Sequence, residues 1–475
     1  MKKLTYVLLA GLFITACGGE KTGKENQQQQ YITVDAQRKI YHNDGSRSYT
    51  DYEPFDTRTV ELLAGYKTPS NPIEYSKYGG WKAKQVEATG FYHVTKIGDR
   101  WWGVDPEGYL YINVALNSIS MGRSDYNRNA LKTKFGTPEK WINETIGLLL
   151  DNGFNCAGSW SDNKSVIEAN KMTSKPFAYT TNLNFMSSYG RVRGGTYQLP
   201  GHTGYPNDAI FVFDPEFEDF CNKHAQQLEA TKDDPNLFGH FSDNEMPFKK
   251  NALDNYLTLP ENEPGYKAAI EWIRKKGITK EQITDAHRQE FLSLVADKYF
   301  SIVSGAIKKH DPNHMYIGAR FYSNEKDQEA FMKTAGKYLD IVSCNYYNRW
   351  TPDSTEISNW ASWTGRPFIV TEYYTKGEDS GMPNQSGAGW IVKTQKDRGL
   401  FYQNYNLALL ESKNCVGWHY FKYQDNDPTA KGVDPSNIDA NKGIVNNDYD
   451  VWEDMMVKMK ELNLQVYPII QHFDK

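Results

Sequence analysis

The sequence predicts an α/β fold: a (β/α)8 TIM barrel behind a small irregular N-terminal β segment. Three observations carry that expectation. Eight short apolar runs alternate with stretches of helical periodicity. The runs are almost continuously apolar, as parallel strands covered on both faces must be. No glycine-rich phosphate turn follows the first run, which disfavours the rival doubly wound open sheet.

The elements follow in chain order. Lys2 and Lys3 precede an apolar stretch, 4–13, that is too short to cross a bilayer as a helix. Ile14-Thr15-Ala16-Cys17 then resembles a bacterial lipobox, which implies cleavage before Cys17 and lipidation of its thiol. Residues 1–17 are therefore expected to be a lipoprotein signal peptide. Residues 18–30, rich in Gly, Lys and Gln, are expected to be a flexible tether. The chain is therefore expected in the bacterial cell envelope, periplasm-facing or at the cell surface, touching the membrane only through the lipid on Cys17. Segment 31–105 is broken by Pro54, Pro69, Pro72 and the Gly79-Gly80 pair, and reads as irregular and partly β. A hairpin turning at Gly98-Asp99 closes it.

The barrel is expected over 106–475. Its strand candidates are 109–117, 153–160, 176–183, 237–245, 314–321, 340–347, 367–374 and 414–423. Helical spacing is clearest over 140–152, 290–309 and 398–412. Two connections, 186–236 and 246–313, are long and leave the C-terminal ends of strands, where they should wall a site.

Composition narrows the function. Hydrophobic residues are 39% and charged residues 24% of the 475, a globular balance. A net charge of −5 makes nucleic acid and anionic membrane surfaces poor partners, because both demand a basic face. Aromatics reach 14%, with 32 Tyr and 12 Trp, which suits either stacking on sugar rings or filling a large core. Cys156, Cys344 and Cys415 lie in strand-like runs, and with Cys221 their spacing matches no zinc pattern, so no metal and no cofactor is expected. Oligomeric state leaves no mark in the sequence.

The chemistry is expected where two strands end in acids. Glu245 closes Leu237-Phe-Gly-His-Phe-Ser-Asp-Asn-Glu245, and Glu372 closes Pro367-Phe-Ile-Val-Thr-Glu372. Barrel chemistry gathers at C-terminal strand ends, so these runs deliver two carboxylates to one rim. Paired carboxylates are the equipment of glycoside hydrolysis, at a spacing of about 5–5.5 Å in retaining enzymes. Asn117 after strand one and Trp160 after strand two face the rim by position. The loop 376–390 reads as a flap presenting Trp390 to a ligand. Trp350, Trp360 and Trp363 are stacking platforms or surface packing. Arg123, His240, Arg320 and His419 are expected in the core or on the surface, the alternative being contact with hydroxyls or charged groups.

Asn244-Glu245 after strand four and Glu372 after strand seven resemble the signature of clan A glycoside hydrolases. Trp101-Trp-Gly-Val-Asp-Pro-Glu-Gly108, Phe241-Ser-Asp-Asn-Glu245 and Asp311-Pro-Asn-His314 resemble the agarase-like family 50 within it. The resemblance implies a retaining hydrolase of β-linked galactan, with Glu245 as acid/base and Glu372 as nucleophile. It implies Asn244 on a sugar hydroxyl, Tyr346 (or else Tyr347) steadying the nucleophile, and Trp418 as a subsite floor. The alternatives are a retaining hydrolase of another β-glycan (β-glucan, β-mannan or β-galactoside) and a non-catalytic surface glycan-binding lipoprotein.

Overall fold

The computed structural model describes residues 31–475, apart from 43, 45, 46, 200, 201 and 434–436. The expected signal peptide, Cys17 and the tether lie outside the described residues. Among those residues no helix is long and apolar enough to cross a membrane.

Eight parallel strands form one curled sheet. They are β1 (Asn113–Leu116), β2 (Cys156–Ala157), β3 (Ala178–Asn182), β4 (Leu237–Phe241), β5 (Met315–Tyr316), β6 (Val342–Asn345), β7 (Phe368–Glu372) and β8 (Cys415–Tyr420). Their order in space is 5-4-3-2-1-8-7-6, so the last strand pairs with the first. The edges β5 and β6 approach each other at an isolated parallel bridge between Phe321 and Cys344. The ladder there is thin because β5 is cut short. Gly318 (φ 92°) and Arg320 (φ 51°) leave the extended region directly after it.

Each of the eight expected runs contains one of these strands. The first run is divided. Tyr109–Tyr111 joins an antiparallel sheet with Arg100–Val104, and only Asn113–Leu116 enters the parallel sheet. Asn155 holds the break. Its amide donates to Ile112 O at 2.9 Å, and its oxygen accepts from Val114 N and the Tyr111 hydroxyl.

Helices cover the sheet. Helix α1 (Pro138–Asp151) buries Trp141, Ile142, Ile146 and Leu149. Helix α2 (Asp285–His310) and helix α3 (Gln395–Glu411) also pack inward. Each begins earlier than its hydrophobic periodicity indicates, because Thr137, Thr284 and Thr394 cap the first turns with their side chains. Helix α3 is buried on nearly all sides, including Arg398, Gln403, Asn404 and Asn406, since Glu453–Asn463 packs across its outer face.

The N-terminal segment is woven into the main body. Ile32–Gln37 pairs with Glu53–Thr57 on one side and with Trp390–Val392 on the other. Trp390–Val392 in turn lies parallel to Thr375–Gly377, just beyond β7. Trp390 is therefore not on a flap. It is buried against Phe55 and Trp350, with ring centroids 5.0 and 5.6 Å away. Trp350 and Trp360 are core residues too, so neither is a stacking platform. The expected hairpin joins His93–Ile97 to Arg100–Val104 through Gly98, whose φ of 62° favours a residue without Cβ.

Below the sheet, Asp311 Oδ2 is 2.8 Å from both His240 Nε2 and His314 Nδ1. The remaining imidazole nitrogens reach Thr181 Oγ1 and Asp234 O. All three residues are fully buried and every ring nitrogen is engaged, so His240 ties the sheet together, as expected of a core residue. Among the described residues Cys156, Cys221, Cys344 and Cys415 are buried and free.

Candidate active site

Both acidic run-ends open on one cavity of about 620 Å³, which Asn244, Trp160 and Tyr347 also line. Glu372 is the last residue of β7. Glu245 lies beyond β4, on a turn anchored from below. The Asp243 carboxylate accepts from Met186 N, Ser187 N and the Tyr299 hydroxyl, and Ser242 Oγ lies 2.9 and 2.8 Å from the Tyr299 and Tyr316 hydroxyls. Those anchors hold Glu245 at φ 49°, a conformation a non-glycine residue adopts only when its surroundings impose it. Its N–H donates to Arg320 O at 3.3 Å.

The two carboxyls have different company. Glu372 Oε1 is ion-paired with Arg320, and Oε2 accepts from the Tyr347 hydroxyl at 2.7 Å. Arg320 is fully buried and also donates to Thr371 O at 3.2 Å. Its guanidinium lies 5.6 Å from the Trp160 ring and 5.5 Å from Phe241. Glu372 is thus held as a carboxylate by one cation and one hydroxyl.

Among the described residues the Glu245 carboxyl has a single donor, Asn345 Nδ2 at 2.7 Å. Thr371 Oγ1 donates to Asn345 Oδ1 at 2.8 Å, which fixes the amide so that its NH2 faces Glu245. Although part of Glu245 opens on the cavity, protein crowds its carboxyl. That desolvation, reinforced by the nearby Glu372 charge, pushes its pKa up to about 8, against the opposing pull of Asn345 and Arg320. The two carboxyls of one cavity thus differ in their partners: a cation and a hydroxyl on Glu372, one amide on Glu245.

The sequence-expected residues divide. Asn244 and Trp160 line the cavity, and Trp160, 41% exposed, faces it from a left-handed position (φ 66°). Asn117 is buried below it, its amide donating to Thr371 O at 2.7 Å, and acts as a strut between β1 and β7. Tyr346 turns away from Glu372 and donates to Glu356, so the steadying hydroxyl belongs to Tyr347. Trp418 is no subsite floor. It is fully buried and donates from Nε1 to the Tyr402 hydroxyl at 2.8 Å, on the helix side of β8. Phe421, three residues on, reaches the cavity instead.

Sequence reasoning missed Asn345 and the hairpin Lys39–Tyr41/Arg47–Tyr49, which sends Tyr41 and Arg47 to the cavity, and it ranked a charged contact for Arg320 behind a core or surface role. Arg320 carried one readable signal: an arginine just past the fifth strand sits at the rim. His419 is buried beneath, with Nε2 on Asn113 Oδ1 at 2.8 Å.

A curled eight-stranded parallel sheet with two carboxyls at one mouth defines a class of α/β protein with an acidic cleft. The crystal structure of BpGH50 matches it with a TM-score of 0.83 and 30% identity, over 96% of this chain and 99% of that one. The chain belongs to the agarase-like glycoside hydrolase family 50. The crystal structure of the agarase AgWH50C shares the fold, with a TM-score of 0.68 over 84% of this chain and 67% of that one at 23% identity. Beta-agarase B of Vibrio sp. (strain JT0107) is 25% identical over 91% of this chain. The chain spans about half the length of that agarase, 54%. No family model matches the chain.

Proposed function

We propose that this chain is a retaining glycoside hydrolase of β-linked galactan on a (β/α)8 barrel of clan A, with Glu245 as acid/base and Glu372 as nucleophile. The observation that carries the reading is the contrast within one cavity. Arg320 and Tyr347 hold Glu372 as an anion, while burial favours a proton on Glu245 near neutral pH. In the first step Glu245 gives its proton to the glycosidic oxygen as Glu372 attacks the anomeric carbon. The leaving group departs as an alcohol, and a glycosyl ester forms on Glu372. In the second step Glu245, now a carboxylate, takes a proton from water, whose oxygen displaces the Glu372 carboxylate. Membership in family 50, and the names of the relatives called agarases, support galactan over other β-glycans.

The test is sugar release by the wild type from agarose, β-glucan and β-mannan oligosaccharides, beside Glu245→Gln and Glu372→Gln. Loss of release in both variants, with a product of retained anomeric configuration by NMR, supports the reading. Release that survives both substitutions overturns it, and glycan binding without release returns the surface-binder alternative. The leader reading joins this proposal: Cys17→Ala should move the expressed protein from the membrane fraction to the soluble one.

A further inference from the structure

The cavity holds more positive charge than the two-carboxylate chemistry uses. Arg320 is committed to Glu372. Lys442 is buried between the rings of Tyr374 and Phe421, at 5.1 and 4.6 Å, and donates to Asn437 Oδ1. Lys422 and Arg123 line the same cavity from the segment after β8 and the segment after β1, and among the described residues neither side chain has an ion-pair or hydrogen-bond partner.

The local acids do not neutralise them. Asp425 spends its oxygens on Asn441 Nδ2, Gly443 N and Trp452 Nε1. Asp427 takes the N–H and hydroxyl of Thr429 on one oxygen. Lys422 is half-buried on the cavity wall, so its ammonium is partly desolvated and lacks a counterion. Burial and the Arg123 charge accordingly lower the Lys422 pKa to about 8, against the raising effect of Asp425. An anion entering the cavity would give the half-buried Lys422 a counterion and the exposed Arg123 a partner. A neutral galactan offers hydroxyl and ether oxygens, which accept hydrogen bonds but carry no charge.

We infer that Lys422 and Arg123 form a subsite for an anionic substituent on the sugar, a sulfate ester or a carboxylate, so that the substrate is an acidic galactan. The inference rests on reading the cavity as the sugar-binding cleft. The guanidinium supplies a planar fork for two anionic oxygens and the ammonium a third contact.

The test is calorimetric binding to the full chain carrying Glu245→Gln, which stops turnover so that binding is read separately from hydrolysis. The probes are a sulfated galactan tetrasaccharide, its desulfated form, and a hexuronate-bearing tetrasaccharide of equal length. One anionic probe should bind roughly ten- to a hundred-fold tighter than the neutral one, the range for charge-assisted hydrogen bonds. Which of them does so names the group. Adding Lys422→Met and Arg123→Gln should collapse that difference to about two-fold or less, and Lys422→Arg should preserve it. Equal binding of all three probes overturns the inference, as does a difference that persists in the double substitution. If Lys422→Met melts early, Arg123→Gln alone, on an exposed loop side chain, must still narrow the gap. Hydrolysis by the wild type is scored independently, so failure of the catalytic reading leaves this result standing.

Discussion

The Tyr347 hydroxyl donates to Glu372 Oε2 at 2.7 Å, while its neighbour Tyr346 points the other way, to Glu356. Burial and the Glu372 charge keep the Tyr347 phenol protonated, so it stays a donor. Tyr347→Phe should lower kcat about 10–100-fold by removing a charge-assisted hydrogen bond of about 1.5–3 kcal/mol from Glu372, the proposed nucleophile. Tyr346→Phe should leave kcat within a few-fold and appear instead in the thermal midpoint. Steady-state kinetics on the best galactan oligosaccharide, with a melting curve for each variant, checks the contrast.

Among the described residues Asn345 is the one hydrogen-bond donor to the Glu245 carboxyl, and that bond favours the charged carboxylate. Asn345→Ala removes it, so the Glu245 pKa should rise further. The basic limb of kcat/KM against pH, which reports protonation of the free enzyme's acid, should move upward. Thr371→Val should shift the limb less, because the amide is retained and only its orientation is released. A basic limb unmoved in Asn345→Ala would detach Glu245 from the profile.

Glu245 also links stability to pH. Its folded pKa, about 8, stands above the ordinary value of 4.5. Between those values the unfolded chain has lost the proton that the folded chain keeps, so stability falls as pH rises from about 4.5 to about 8. Glu245→Gln removes this term. Its melting temperature should exceed that of the wild type at pH 8, and the difference should shrink toward pH 5. Equal differences at both pH values would show that the group is not desolvated.

Trp160 and Trp418 should behave oppositely. Trp160→Ala, on the cavity side beside Arg320, should raise KM several-fold with little loss of stability. Trp418→Ala should cost about 3–5 kcal/mol of folding stability, the range for a buried aromatic truncation. Trp418→Phe should keep KM near that of the wild type. Urea melts and substrate titrations separate the two.

Much of this was legible in one dimension. Apolar runs set the number and order of the parallel strands, because a strand covered on both faces needs an unbroken apolar sequence. Acids at the ends of two runs marked Glu245 and Glu372, since a charge at a strand end must emerge at a rim. Helix starts were read late at Thr137, Thr284 and Thr394, where capping rather than hydrophobic period sets the first turn.

Side-chain direction at the strand ends was another matter, and only the assembled protein decided it. The pairing of β6 with β7 slips between Cys344 and Asn345, and that of β7 with β8 slips between Phe368 and Val370. A slip of one residue sends a side chain to the opposite face. Hence Asn345 and Tyr347 reach the carboxyls while Tyr346 faces Glu356, and Trp418 enters the core while Phe421 reaches the cavity. Arg320 meets Glu372 across a gap of 52 residues because the sheet curls, a proximity no local pattern encodes.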